Sequence, residues 1–148
     1  MCGIAGYFNP NQNYAENPKQ NFHTLSRMIN TMNHRGPDTY GHTIINSCCL
    51  AHTRLSIIDL ENGRQPMSYT KDGNTYYIVY NGEIYNYKEV KKTLLQKNYT
   101  FETNSDTEVI IAAFCHYGPG FVKELNGIFA IAIYDSMRNT LYLYRDRF

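Results

Sequence analysis

A cysteine at the second position is the first residue that could carry chemistry. Removal of Met1 would leave Cys2 with a free α-amine, so that one residue holds a thiol nucleophile and a base. The reference pKa of a thiol is about 8.5 and that of an α-amine about 7.7–8.0, so the amine can take the thiol proton, through a water where direct geometry is poor. With Met1 attached this mechanism is blocked, and a cysteine at this position is then incidental.

The dipeptide Asn81-Gly82 has two interpretations. Between apolar segments, Asn-Gly is typical of a type I′ hairpin turn. The residues from Glu83 onward soon become helical, however, so the second strand of such a hairpin would be very short. The functional interpretation is an oxyanion hole, in which the Asn81 side-chain amide and the Gly82 backbone N–H both donate to one developing negative oxygen. From the residues alone both remain open.

Two charged residues could bind the ends of a free α-amino acid. Arg54 lies on the polar face of a predicted strand, where it either forms a surface ion pair or clamps a carboxylate with two hydrogen bonds. Asp106 lies at the start of a predicted helix, where it either stabilises the helix N-terminus or binds an ammonium group. Taken together, the two side chains match the carboxylate and the ammonium of one small zwitterion.

Apolar periodicity predicts the elements that position these residues. In the second strand of the His42–Leu60 segment, Cys49 and Ala51 share one face while His52 and Arg54 share the other. Sequentially adjacent strand pairs with helices between them predict an α+β fold of antiparallel sheets covered by helices. The predicted helices are Gln20–Asn33, Tyr87–Asn98 and Ser105 to about Tyr117, the last opened by a capping box over Ser105–Glu108; the predicted strands are Ile4–Phe8, two within His42–Leu60, Tyr76–Tyr80, Gly127–Asp135 and Leu141–Arg145.

Composition excludes several classes of protein. The chain has 148 residues, the size of one domain, and its formal net charge of +1 gives no electrostatic reason to expect nucleic acid. Apolar runs such as Ile128–Tyr134 are far too short for a membrane span, and no signal peptide opens the chain, so a cytoplasmic domain is expected. The absence of any C-x-x-C pair disfavours a metal site, and Cys48, Cys49 and Cys115 are expected as core thiols.

Seven segments, read in order, resemble the class II (N-terminal Cys) glutamine amidotransferase domain of the N-terminal nucleophile hydrolases. The resemblance covers essentially the whole chain. The Arg-Gly-Pro-Asp, Leu-Ser-Ile-Ile-Asp-Leu and Gly-Glu-Ile-Tyr-Asn spellings look most like the glutamine-hydrolysing asparagine synthetases. The segments are Met1–Gly6, His34–Asp38, Ala51–Asp59, Tyr80–Asn86, Ser105–Glu108, Leu125–Ala130 and Arg145–Phe148.

The resemblance implies a fold and a role for each site residue. The fold would have two stacked, mainly antiparallel sheets covered by helices (αββα). Cys2 would attack the side-chain amide of glutamine, while Asn81 and Gly82 would hold the oxyanion. The implied substrate-binding residues are Arg54 for the α-carboxylate, the backbone of Leu55, Ser56, Ile57 and Ile58 along the pocket, and Glu83 and Asp106 for the α-ammonium. Arg35 and Asp38 would order the loop near the nucleophile, unless that pair is wholly structural.

The resemblance also implies an activity, hydrolysis of L-glutamine to L-glutamate and ammonia through a cysteinyl thioester. Residues 1–148 would form the glutaminase domain, which needs no cofactor, with ammonia passing to an ATP- and Mg-dependent synthetase domain absent from this chain. Phe148 closes a strand-like segment without a polar tail, which favours a longer protein over a naturally short one. A homodimer is left open. The alternatives are a non-catalytic glutamine-sensing or partner-docking domain, or the amidotransferase domain of another amide- or amine-forming synthase.

Overall fold

Seven strands form two antiparallel sheets in the part of the chain that the structure describes. A computed structural model describes residues 2–54 and 63–147. The first sheet has the order β1-β3-β2 and the second the order β4-β5-β6-β7. The strands are β1 (Gly3–Phe8), β2 (Thr39–Ile45), β3 (Cys48–Arg54), β4 (Met67–Lys71), β5 (Asn74–Ile84), β6 (Gly127–Asp135) and β7 (Thr140–Arg145).

Within residues 2–54 and 63–147, three α-helices cover the outer faces of the two sheets. They are α1 (Pro18–Thr31), α2 (Tyr87–Gln96) and α3 (Asp106–Tyr117), with short 3₁₀ segments at Tyr14–Glu16 and Gly118–Glu124. The longest of them, α1, has 14 residues and is about 21 Å long at a rise of 1.5 Å per residue. None of the helices in the described part of the chain is long and apolar enough to cross a membrane.

Strand β3 shows how the layers are held together. Its residues Cys49 and Ala51 pack against Leu25 and Ile29 of α1. On the opposite face, Cys48 and Leu50 pack against three residues of the second sheet, Val79, Ala132 and Tyr134. The far face of the second sheet packs against α2 and α3. The layer order is therefore helix, sheet, sheet, helices, and the predicted α+β architecture of two stacked sheets is confirmed.

The face of β3 predicted to be polar lies in the interior. His52 and Arg54 do share one face, but it is the face turned towards the second sheet, and the two residues are only 2% and 9% exposed. The surface position considered for Arg54 is therefore wrong. Strand alternation correctly placed these residues together but could not show that a second sheet covers them.

Of the two dipeptides Asn81-Gly82 and Asp72-Gly73, only the second forms a hairpin turn. The predicted hairpin alternative for Asn81-Gly82 is wrong, because β5 continues through both residues to Ile84. The type I′ turn lies instead at Asp72-Gly73, where both φ angles are positive (50° and 78°), and it joins β4 to β5. Strand β4 was not among the predicted elements.

The start of α3 follows the predicted boundary with a different capping pattern. Ser105 is the N-cap, and its Oγ accepts from the N–H of Thr107 (3.1 Å). In a capping box, the carboxylate of Glu108 would accept a hydrogen bond from the backbone N–H of Ser105, but it does not do so here. It accepts instead from the N–H groups of Glu102 (2.9 Å) and Thr103 (2.8 Å). Glu108 therefore fixes the loop that leads into the helix.

Candidate active site

One cavity of about 1120 Å³ opens between the two sheets and the start of α3. The six described residues with predicted catalytic or substrate-binding roles line it: Cys2, Arg54, Asn81, Gly82, Glu83 and Asp106. The other four predicted residues, Leu55, Ser56, Ile57 and Ile58, lie outside the described part of the chain. Residues far apart in the sequence are thus brought to one place by β3, β5, α3 and the residue that precedes β1.

The register of β1 against β3 places the cysteine beside the arginine. Gly3 pairs with Thr53 and Ile4 with His52, so the same register one residue earlier puts Cys2 opposite Arg54. Directly opposite residues share a face of the sheet. Because His52 and Arg54 face the second sheet, Cys2 is placed on this inner face as well.

The Arg35–Asp38 loop forms hydrogen bonds to the backbone carbonyl groups of Cys2 and Arg54. Arg35 Nε donates to the carbonyl oxygen of Cys2 (3.3 Å), and the N–H of Asp38 donates to the carbonyl oxygen of Arg54 (3.2 Å). A side chain at Gly36 would come within 2.7 Å of the Arg54 backbone. The loop therefore packs tightly on the end of β3 and holds the amino terminus beside it.

Gly82 presents its backbone to the cavity. It pairs with Phe129, whose N–H donates to Asp146 Oδ2 (2.8 Å) and whose carbonyl accepts from the Asp146 N–H (3.0 Å). Gly82 thus occupies a position of the antiparallel ladder without hydrogen bonds to β6. Its N–H is directed towards the opposite edge of β5, where the cavity lies.

The conformation of Gly82 requires glycine for two separate reasons. Its φ of 152° lies in a region that other residues rarely adopt. A Cβ there would also overlap the carbonyl oxygen of Ile128 and lie 2.7 Å from Phe129 Cα. Alternation along β5 places Asn81 on the same face as Val79, between the sheets. The Asn81 side-chain amide and the Gly82 N–H are therefore two neighbouring donors at one cavity wall.

Asp106 is held at the start of α3 by a tyrosine. The hydroxyl of Tyr80 donates to Asp106 Oδ2 (2.9 Å), and Tyr80 itself is 3% exposed. Burial raises the pKa of Asp106, and the hydrogen bond from Tyr80 opposes this in part. A cation bound beside this carboxylate would favour its ionised form and so oppose the effect of burial.

His52 is a further cavity residue that the motifs did not single out. Its pKa is lowered to about 4, chiefly by burial and to a smaller extent by the charge of Arg54, against the opposing effect of a hydrogen bond to the backbone of Tyr80. Among the described residues no partner lies within hydrogen-bonding distance of His52 Nε2. The imidazole is therefore neutral at physiological pH. Its place on the Arg54 face of β3 was the sequence signal that could have identified it.

Other residues of the cavity wall also escaped prediction. Gln65 lies just before β4 and lines the cavity. A lone glutamine before a proline carries no motif, so only the folded chain identifies it. Within residues 2–54 and 63–147, no group of three or more His, Cys, Asp or Glu residues could hold a metal ion.

Comparison with known proteins assigns the family. A family model of the glutamine amidotransferase domain matches residues 1–148. The chain belongs to this family. As a glutamine amidotransferase domain it is 40% identical over 99% of its length to asparagine synthetase [glutamine-hydrolyzing] 3 of Bacillus subtilis. It is also 40% identical over 99% of its length to asparagine synthetase B [glutamine-hydrolyzing] of Escherichia coli. It spans only 23% and 25% of those two proteins.

A solved structure shares the fold. The domain matches glutamine phosphoribosylpyrophosphate amidotransferase from Bacillus subtilis with a TM-score of 0.58 and 20% identity, over 70% of this chain and 24% of that one. The predicted fold of two stacked antiparallel sheets covered by helices and the predicted family are therefore both confirmed.

Proposed function

We propose that this glutamine amidotransferase domain hydrolyses L-glutamine to L-glutamate and ammonia through a thioester on Cys2. The observation that carries the proposal is the gathering of Cys2, Arg54, Asn81–Glu83 and Asp106 around one cavity. Each of these groups has the chemistry that one part of glutamine requires. The substrate therefore has a binding partner at both ends and a nucleophile beside its side-chain amide.

Charge complementarity supports recognition of the free amino acid. The Arg54 guanidinium binds the α-carboxylate in a bidentate manner, which its planar geometry favours. Asp106 and Glu83 bind the α-ammonium. Leu55–Ile58 lie outside the described residues, and the resemblance to the family implies that they too bind the substrate. Glutamine inside a peptide lacks both charges and forms neither of these two ionic contacts, so it is rejected strongly.

The reaction uses the two functional groups of one residue. The α-amine of Cys2 takes the thiol proton through a water, and the sulfur attacks the side-chain carbonyl carbon of glutamine. Asn81 Nδ2 and the Gly82 N–H donate to the resulting oxyanion. As the carbon–nitrogen bond breaks, the Cys2 ammonium returns its proton to the leaving nitrogen and ammonia departs. Water, deprotonated by the same amine, then cleaves the thioester and releases glutamate.

The ammonia acceptor belongs to the whole protein. Residues 1–148 form the glutaminase domain, and ammonia passes to an ATP- and Mg-dependent synthetase domain that makes asparagine. Support comes from the names of the two relatives and from the small share of their length that this domain spans. The glutaminase step itself uses no cofactor.

A stoichiometric assay tests the proposal. Purified protein is incubated with L-glutamine, and glutamate and ammonia are measured together. Equal amounts of both are expected, with no turnover by Cys2→Ala and unchanged turnover by Cys115→Ala, whose thiol does not line the cavity. Glutamine binding by calorimetry without turnover, in protein whose mass shows that Met1 is removed, would favour the sensing alternative over hydrolysis.

A further inference from the structure

The edge of β5 that faces the cavity is covered by a side chain. β4 pairs with β5 only as far as Met67 opposite Ile78. Beyond that point, at Tyr80, the Oε1 atom of Gln65 accepts from the backbone N–H (2.5 Å). Gln65 therefore takes the place that a neighbouring strand would otherwise occupy.

Gln65 contacts three layers of the fold at once. Its Nε2 donates to Thr107 Oγ1 (3.4 Å) on α3 while its Oε1 holds β5. Its backbone lies against β2, where a Cβ at Gly41 would overlap the Gln65 carbonyl oxygen and come within 3.2 Å of Pro66 Cδ. A side-chain amide is suited to this position because it accepts and donates through different atoms.

The contacts of Gln65 reach both halves of the glutamine site. In an extended strand, the N–H groups of residues i and i+2 point to the same edge. The Tyr80 N–H bound by Gln65 therefore precedes, on the same edge, the Gly82 N–H that faces the cavity. Tyr80 also donates through its hydroxyl to Asp106, the residue before Thr107. A closed ring of contacts thus joins the oxyanion strand to the start of α3.

We propose that Gln65 is a positioning residue for glutamine hydrolysis, fixing the distance between the oxyanion donors on β5 and the ammonium-binding carboxylate on α3. This inference rests on the proposed function. Gln65 acts through Tyr80 and Thr107 and takes no part in bond making or breaking. Loss of the β5 contact displaces the oxyanion donors and lowers kcat, whereas loss of the α3 contact displaces Asp106 and raises KM.

Two variants separate these effects. Gln65→Leu removes both contacts and leaves the buried Tyr80 N–H unpaired, so kcat is expected to fall about tenfold and KM to rise. Thr107→Val removes only the α3 contact, so KM is expected to rise about threefold while kcat stays within a factor of two. Gln96→Leu makes the same substitution at an exposed position on α2, and both constants should stay unchanged.

Measurements of kcat, KM and urea unfolding on all three variants decide the matter. A split in which Gln65→Leu changes kcat and Thr107→Val changes only KM supports the proposal. The proposal is overturned if Gln65→Leu and Thr107→Val both leave kcat and KM unchanged, whether or not they lower the free energy of unfolding. If Gln65→Leu does not fold, an unchanged KM in Thr107→Val overturns it as well. Wild-type turnover is measured first, because its absence would refute the proposed function instead.

Discussion

Gly82 offers a severe test of the geometry of the oxyanion strand. The substitution Gly82→Ala places a side chain on a residue with φ of 152°, at a cost of about 1–3 kcal/mol. The new Cβ also lies 2.7 Å from Phe129 Cα and overlaps the Ile128 carbonyl, and overpacking of this kind costs about 1–3 kcal/mol. Together the two effects should lower the unfolding free energy by about 2–6 kcal/mol, out of about 5–15 for a typical domain.

Two other glycines provide matched controls. Gly120 has no atom within 4 Å of the place that a Cβ would occupy and no positive φ, so Gly120→Ala should change the unfolding free energy by less than about 1 kcal/mol. Gly73 has open space but a φ of 78°, so Gly73→Ala should show the conformational cost alone, about 1–2 kcal/mol. The expected order of destabilisation is Gly82, then Gly73, then Gly120.

Urea unfolding followed by far-ultraviolet circular dichroism measures the three variants. A midpoint shift at constant slope reports a change in stability rather than in the size of the unfolding unit. If the unfolding free energies of Gly82→Ala and Gly120→Ala differ by less than about 1 kcal/mol, β5 does not approach β6 as described. The basis for the Gly82 N–H as an oxyanion donor would then be lost.

Three further outcomes are expected. Asn81→Ala should lower kcat by about 10²–10³-fold with little change in KM, because an oxyanion donor acts in the transition state; equal changes in both would make Asn81 a binding residue. Arg54→Lys keeps the charge but loses bidentate geometry, so KM should rise about 10- to 100-fold in steady-state kinetics. His52 has a pKa of about 4 when folded, so stability should be full above about pH 6.5 and fall by about 3 kcal/mol towards pH 4. Urea unfolding at several pH values should show this loss in wild type and its absence in His52→Gln.

Local sequence signals were sufficient for most elements of the fold. Periodicity predicted α1 and α2 because their buried residues, such as Leu25 and Ile29 or Val90 and Leu94, follow the helical repeat. It missed β4, whose polar and apolar residues alternate over only five positions beside an Asp-Gly turn. Leu95 follows the buried Leu94 but is 52% exposed, since the helix presents only one narrow stripe to the core.

The site was predictable as a set of residues but not as a set of contacts. The motifs named Arg54 and Asp106, yet their burial depends on a second sheet and a helix that are distant in sequence. The dipeptide Asn81-Gly82 was ambiguous because turn propensity is local, whereas pairing with Ala130 and Phe129 is decided by the tertiary fold. Tyr80 lies in the Tyr80–Asn86 motif, but its hydrogen bond to Asp106 joins residues 26 positions apart, so the motif alone could not predict it.

Covalent labelling of the protein with a diazoketone analogue of glutamine tests the central claim most directly. Peptide mapping should find one equivalent of label on Cys2, prevented by excess glutamine and absent from Cys2→Ala. Burial raises the pKa of Cys48 and of Cys115 to about 12 and also raises that of Cys49, so these thiols should remain unmodified. Label spread over those three cysteines, or labelling of Cys2 that glutamine does not prevent, would contradict a glutamine site built around the amino-terminal thiol.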